Sequence, residues 1–170
     1  CHGPKHFEAL GQVRSYAERL TANVADGLGL ILMGTVGTGK THLGVAVLRN
    51  AIRRHHLDAR YTTADRLFMR VRETYKRDAE TGSEVMRDMV TPDLLMIDEI
   101  GMGNGSQHEL IVLSTVLGRR YDECKATILA TNLEPALLRE CLGDRVTDRM
   151  REVNEVVEFQ WPSYRAGGDA

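Results

Sequence analysis

The sequence is poor in aromatic residues and proline, and it has no long apolar run. One tryptophan, five tyrosines and three phenylalanines make up 5% of its 170 residues, so aliphatic side chains must supply most of any core. Four prolines are scattered along the chain, and no low-complexity tract, internal repeat or linker divides it. The longest apolar run, Leu28 to Met33 with Gly29 inside it, is far short of the roughly 20 residues that a membrane span needs, and no leader segment is recognisable. Three cysteines, Cys1, Cys124 and Cys141, form an odd set without a CxxC pair. That usage fits a reducing compartment better than a disulfide framework, and the cytoplasm is expected.

Neither sign of charge dominates. With 22 Lys and Arg against 24 Asp and Glu, the formal net charge is −2, so any contact with nucleic acid must use a local patch. A content of 42% hydrophobic and 27% charged residues excludes fibrous and disordered classes. A domain of this size buries roughly 70% of the surface its unfolded chain exposes, enough for a core without disulfides or structural metal. The opening Cys1-His2-Gly3-Pro4 reads like the interior of a longer protein, and a longer parent is expected.

Hydrophobic spacing predicts an alternation of strands and helices. Short apolar runs at Leu28–Met33, Asp93–Asp98 and Thr127–Thr131 predict strands covered on both faces, with further strands at Arg60–Thr63 and Glu155–Trp161. Helical spacing predicts a first helix over Phe7–Leu20, with Leu10, Val13, Ala17 and Leu20 apolar, ending in the polar stretch Thr21–Asp26. Further helices are predicted at Thr41–Arg54, Ala64–Arg77, Gln107–Tyr121, Pro135–Leu142 and Arg145–Arg151, with Gly82 breaking the pattern after the second of these. The implied fold class is α/β, a single domain over residues 1–170 with a central parallel sheet flanked by helices in three layers. Residues 1–26 form a helical segment expected beside the nucleotide site.

Between the first strand and the first long helix, Gly34-Thr35-Val36-Gly37-Thr38-Gly39-Lys40-Thr41 matches GxxxxGK[ST] at every fixed position. Glycines let backbone amides turn inward and approach phosphate oxygens closely. Lys40 would neutralise charge on the β- and γ-phosphates, the helix amino end adds to the anion site, and the Thr41 hydroxyl is suited to Mg2+. His42 is either helix surface or close to the base. ATP or ADP with Mg2+ is the expected ligand.

Asp98 and Glu99 end the buried run Leu94-Leu95-Met96-Ile97, at the carboxyl edge where open α/β sheets bind ligands. Asp98 would serve the metal, and Glu99 would orient and deprotonate the attacking water. Asn132, at the tip of another buried strand, is placed to hydrogen-bond both the γ-phosphate and that water. The bland alternatives are a strand end for the acids and an Asx turn for Asn132. Farther on, Arg145 and Arg149 lie one turn apart on one helix face, where Asp148 could simply pair with Arg145.

Four segments carry a resemblance: Gly37-Thr-Gly-Lys-Thr-His-Leu43, Ile97-Asp-Glu-Ile-Gly101, Gly143-Asp-Arg-Val-Thr-Asp-Arg-Met150 and Trp161-Pro-Ser-Tyr-Arg165. Over nearly its whole length the chain resembles the AAA+ ATPases of the DnaC-type helicase-loader family, bacterial or phage, which are related to IstB-like ATPases. The resemblance implies a P-loop fold of AAA+, ASCE type with the lid domain reduced or absent. It also implies that Arg145 is an arginine finger reaching the ATP site of an adjacent copy, with Arg149 supporting it, and that Arg165 is a sensor-2 arginine anchored by Trp161 and Tyr164. Self-association would run head to tail into a ring or open helix, and single-stranded DNA would be gripped by the segment Asp65–Thr81. There Arg66, Arg70 and Arg77 share a face with Lys76 and Arg72 nearby, and Tyr75 is suited to stacking on a base; Ser106 and His108 are implied to line the DNA channel. On bare sequence, Asp65, Glu73, Asp78 and Glu80 interleave with those cations as on a solvated helix, and Ser106 reads as a helix N-cap. The replicative helicase would be the partner, held by an amino-terminal domain for which this chain has no room. Two rival functions share the chemistry: a transposition helper ATPase of the IstB type acting on duplex DNA, and a P-loop small-molecule kinase.

Overall fold

A computed structural model of the chain describes residues 4–75, 81–101 and 106–164. A parallel sheet of five strands lies between two helical layers, with strand order β2-β3-β4-β1-β5: β1 (Gly29–Gly34), β2 (Ala59–Thr63), β3 (Leu94–Ile100), β4 (Ala126–Thr131) and β5 (Asn154–Phe159). On one face pack α1 (Pro4–Glu18), α2 (Leu20–Ala25) and α3 (Lys40–His55); on the other pack α4 (Ala64–Glu73), α5 (Gly82–Val90), α6 (Gln107–Asp122), α7 (Pro135–Leu142) and α8 (Asp144–Val153). The three-layer α/β expectation is thus met, and among the described residues no helix is long and apolar enough to cross a membrane.

Strand alternation divides the core between the two layers. Ile31, Met33, Leu95, Ile97 and Leu129 pack with α4–α8, whereas Leu30, Leu32, Met96, Ile128, Ala130 and Phe159 pack with α1–α3. Both faces of β1, β3 and β4 are covered, which is why these strands read as continuous apolar runs rather than alternating ones.

Two local expectations are corrected. The buried stripe of α1 is Ala9, Val13 and Tyr16, continuing to Leu20, while Leu10 is 46% exposed; the Tyr16 hydroxyl donates to Leu28 O at 2.8 Å, which fixes the roll of the helix. The helical segment continues past Leu20 as the short helix α2, with Val24 reaching the core. Gly82 begins a helix instead of breaking one. Thr81 and Glu84 form a reciprocal capping box at the start of α5, and Val85, Met89 and Val90 are buried.

Candidate nucleotide site

The phosphate-loop residues join the end of β1 to the start of α3. All three glycines of the loop, Gly34, Gly37 and Gly39, have positive φ. A Cβ on Gly34 would meet Phe159 O at 2.5 Å, and Gly39, which precedes the first turn of α3, has φ +98°. Thr38, 1% exposed, donates from its hydroxyl to Thr35 O at 2.8 Å and closes the loop on itself. Lys40 Nζ donates to Gly34 O at 2.6 Å and to Thr35 O at 2.7 Å, so its ammonium lies at the loop. Burial lowers the Lys40 pKa, and the negative charge of Asp98 acts in the opposite direction.

Asp98 is 4% exposed and faces α3. Its Oδ2 accepts the Thr41 hydroxyl at 2.7 Å and the Tyr61 hydroxyl at 3.1 Å, and its Oδ1 accepts the Glu99 amide at 2.8 Å. A carboxylate and a hydroxyl side by side next to a phosphate loop are the hard oxygen donors that suit Mg2+, which takes few protein ligands and relies on phosphate oxygens for the rest. Among the described residues no cluster of three or more His, Cys, Asp or Glu could hold a metal ion. The Tyr61 phenol is pushed up to about 12, first by burial and then by the Asp98 charge, and so remains a donor.

The β3–β4 register shifts between Ile97 and Ile100, and Glu99 adopts φ +58°. This left-handed conformation is uncommon away from glycine, and strain of this kind concentrates at functional sites. It leaves Glu99 exposed at the strand's carboxyl end while Asp98 points inward. Asn132 follows β4, which lies between β3 and β1, so it stands between Glu99 and the loop. Thr131 stiffens that tip by donating to Ile100 O at 2.8 Å and accepting from Leu133 N at 3.0 Å.

Beside the loop opens a cavity of about 780 Å3 that extends to Phe7, Leu10 and His42. The chain's last described residues clamp the loop: Trp161 Nε1 donates to Thr38 O at 3.1 Å, and the Tyr164 amide donates to Gly37 O at 3.0 Å. His6 stacks on Trp161 with ring centres 4.0 Å apart. The apolar and aromatic wall formed by Phe7, Leu10, Trp161 and Tyr164 suits a purine base. The exposed Val36 stands at the loop's tip. Arg165 lies outside the described residues, as does Lys76.

The remaining candidates are spread over other surfaces. Arg145, at the start of α8, is exposed and makes no hydrogen bond or ion pair among the described residues. Asp148, its suggested partner, is instead bound by Arg139 Nη2 at 2.6 Å. Arg149 pairs with Asp122 at 3.2 Å and stacks over the Tyr121 ring. Arg145 and Arg149 line a cleft of about 510 Å3 between α6 and α8, to which no phosphate-loop residue contributes. Arg70 is engaged with Asp88 of α5 at 2.9 Å, an acid that also binds Arg60 at 3.1 Å. Tyr75 is 75% exposed, and its hydroxyl stands 3.4 Å from His108 Nε2. Ser106 caps α6, in a capping box with Glu109.

Sequence reasoning expected the helical segment 1–26 beside the nucleotide site but singled out neither Tyr61 nor His6. A tyrosine in a short strand carries no motif, and only the parallel register of β2 with β3 brings it to Asp98. Trp161 and Tyr164 were legible as anchors, but their target, the loop's carbonyls, lies more than 120 residues away in sequence.

Residues 15–168 match the family model described as IstB-like ATP binding protein. The replicative helicase loader DnaC of Escherichia coli strain K12 is 32% identical over 167 residues, covering 98% of this chain but 66% of that protein; the chain thus spans just under two thirds of that relative's length. The crystal structure of the DnaC helicase loader aligns with a TM-score of 0.82 and 24% identity, over 92% of this chain and 91% of the other. The replication initiator DnaA bound to AMPPCP and single-stranded DNA aligns with a TM-score of 0.78 and 25% identity, over 95% of this chain and 48% of the other.

Proposed function

The chain belongs to the IstB-like ATP-binding protein family, and from that premise we propose that it hydrolyses ATP between adjacent copies to load a replicative helicase onto single-stranded DNA in the cytoplasm. The observation that carries the reading is the meeting of Lys40, Thr41, Asp98 and the strained Glu99 at the ends of β1 and β3. Its similarity to helicase loaders over 98% of its length supports the choice of task.

In this mechanism the amides of Gly34–Thr41 and the Lys40 ammonium hold the β- and γ-phosphates, while the base lies against Trp161 and Phe7. Thr41 and Asp98 would hold Mg2+, which when bound offsets phosphate charge. Glu99 accepts the proton of the attacking water, and Asn132 orients that water from the neighbouring strand tip. Arg145 is supplied by the next copy and stabilises the charge that develops as the phosphoryl group leaves; Arg149 is held by Asp122 beside it. Arg165 would contact the γ-phosphate from the carboxyl-terminal side. Such head-to-tail contacts build a ring or an open helix.

Bases of single-stranded DNA stack on the exposed Tyr75 and its neighbour His108, Lys76 and Arg70 would bind the phosphates, and Ser106 stands at the channel edge. Arg70 must exchange Asp88 for phosphate to take part.

The test is ATP turnover by the purified chain as its concentration rises, with and without single-stranded or duplex oligonucleotides. Specific activity that climbs with concentration and with single strands is the expected result. Stimulation by duplex alone would favour the transposition helper, and activity indifferent to both variables would favour a monomeric kinase.

A further inference from the structure

The edge strand β2 brings to the phosphate site a side chain that the scheme above leaves without a task. Tyr61 pairs in register with Met96, two residues before Asp98, so the three side chains lie on one face of the sheet, the face that α3 covers. From there the phenol reaches forward along β3, and its hydroxyl donates to Asp98 Oδ2 at 3.1 Å. That oxygen already accepts the Thr41 hydroxyl at 2.7 Å, and Oδ1 accepts the Glu99 amide at 2.8 Å. Three donors from three different elements therefore fix the plane of one carboxylate. Asp98 is 4% exposed, and water is poorly placed to replace a donor that is removed.

We propose that Tyr61 is a positioning residue of the nucleotide site, whose hydroxyl holds the Asp98 carboxylate toward Thr41 and thereby sets the concentration of divalent cation the chain needs to retain ATP. The inference rests on the assignment of Thr41 and Asp98 as the groups on the cation side. It gives the edge strand a part in nucleotide binding that its exposure and lack of motif conceal. Tyr61 acts through Asp98, with no contact to nucleotide required.

The experiment titrates Mg2+ against binding of a fluorescent ATP analogue to the intact chain and its variants. Tyr61→Phe keeps the ring and loses only the hydroxyl. It is expected to raise the Mg2+ concentration for half-maximal binding about tenfold, as for one hydrogen bond to a charged group, with affinity in excess EDTA unchanged. Tyr61→Leu is expected to match Tyr61→Phe, and adding Tyr61→Phe to Asp98→Asn is expected to change nothing further. A wild-type Mg2+ requirement in Tyr61→Phe, or an undiminished effect on the Asp98→Asn background, would overturn the proposal while leaving the site itself standing. Lys40→Ala provides the separate control: if it binds the analogue as tightly as wild type, the phosphate-loop reading fails, and the role of Tyr61 fails with it.

Discussion

Two arginines set the far end of α6 against the near end of α8. Arg120 is wholly buried. Its Nε donates to Thr127 Oγ1 at 2.9 Å, its Nη1 to the carbonyls of Met89, Val90 and Pro92 at 3.0 Å each, and its Nη2 to Ala126 O at 2.5 Å. Burial lowers its pKa to about 10. Arg145 is exposed at the lip of a cleft and has no such acceptor among the described residues. A fully buried guanidinium held by four carbonyls and a threonine hydroxyl ties the end of α5 to the start of β4 and is closed to any ligand. A guanidinium without an acceptor among the described residues is available to an anion brought by another copy.

The contrast is sharpest in what removal should do. Arg145→Ala should lower kcat for ATP by about a thousandfold, the lower range for an arginine finger, while nucleotide affinity stays unchanged and stability moves by less than about 0.5 kcal/mol; steady-state kinetics beside thermal melting measures both. Arg120→Leu should do the reverse. It leaves several buried carbonyls without a donor and should cost about 3 kcal/mol of stability in urea unfolding, with kcat per folded molecule retained. If Arg145→Ala melted early, or if Arg120→Leu kept full stability, the two residues would not differ in the way their surroundings imply.

Smaller effects refine the same distinction between what holds the fold and what serves the site. Trp161→Phe removes the donor to Thr38 O and should weaken ATP binding by about 1 kcal/mol, read by calorimetry, with little change in kcat. At the α4–α5 contact, hydrogen bonding and charge from Arg70 and Arg60 hold the Asp88 carboxyl below the ordinary aspartate range. Because the native state binds its proton later than the unfolded chain does, this stabilisation is complete above about pH 4 and is lost as pH falls through the lowered native value. Asp88→Asn should therefore flatten the acid limb of stability against pH, by about 0.5 kcal/mol after allowance for solvent screening.

The parts of the molecule that announce themselves in sequence are those written in consecutive residues. Gly34–Thr41 places its glycines, lysine and threonine by local backbone geometry, and the Asp98-Glu99 pair follows an apolar run that only a buried strand explains. What escaped depends on register and on distant segments. Tyr61 reaches Asp98 through strand pairing, and His6 meets Trp161 by the packing of α1 beside β5. The α5 helix was hidden because Gly82 looks like a breaker until Thr81 and Glu84 are seen to cap it. The left-handed turn at Glu99 has no compositional signal, since glycine is the usual occupant of such a conformation.

Mixing subunits tests the shared site most directly. Lys40→Ala copies, which lack the nucleotide-binding ammonium but keep Arg145, are combined with Arg145→Ala copies, which keep the loop but lack the finger. Each variant alone should be nearly inactive, and equimolar mixing should restore a measurable fraction of wild-type ATP turnover, because hybrid contacts pair an intact loop with an intact arginine. Mixtures no more active than the separate variants, under conditions where the copies associate, would contradict the account.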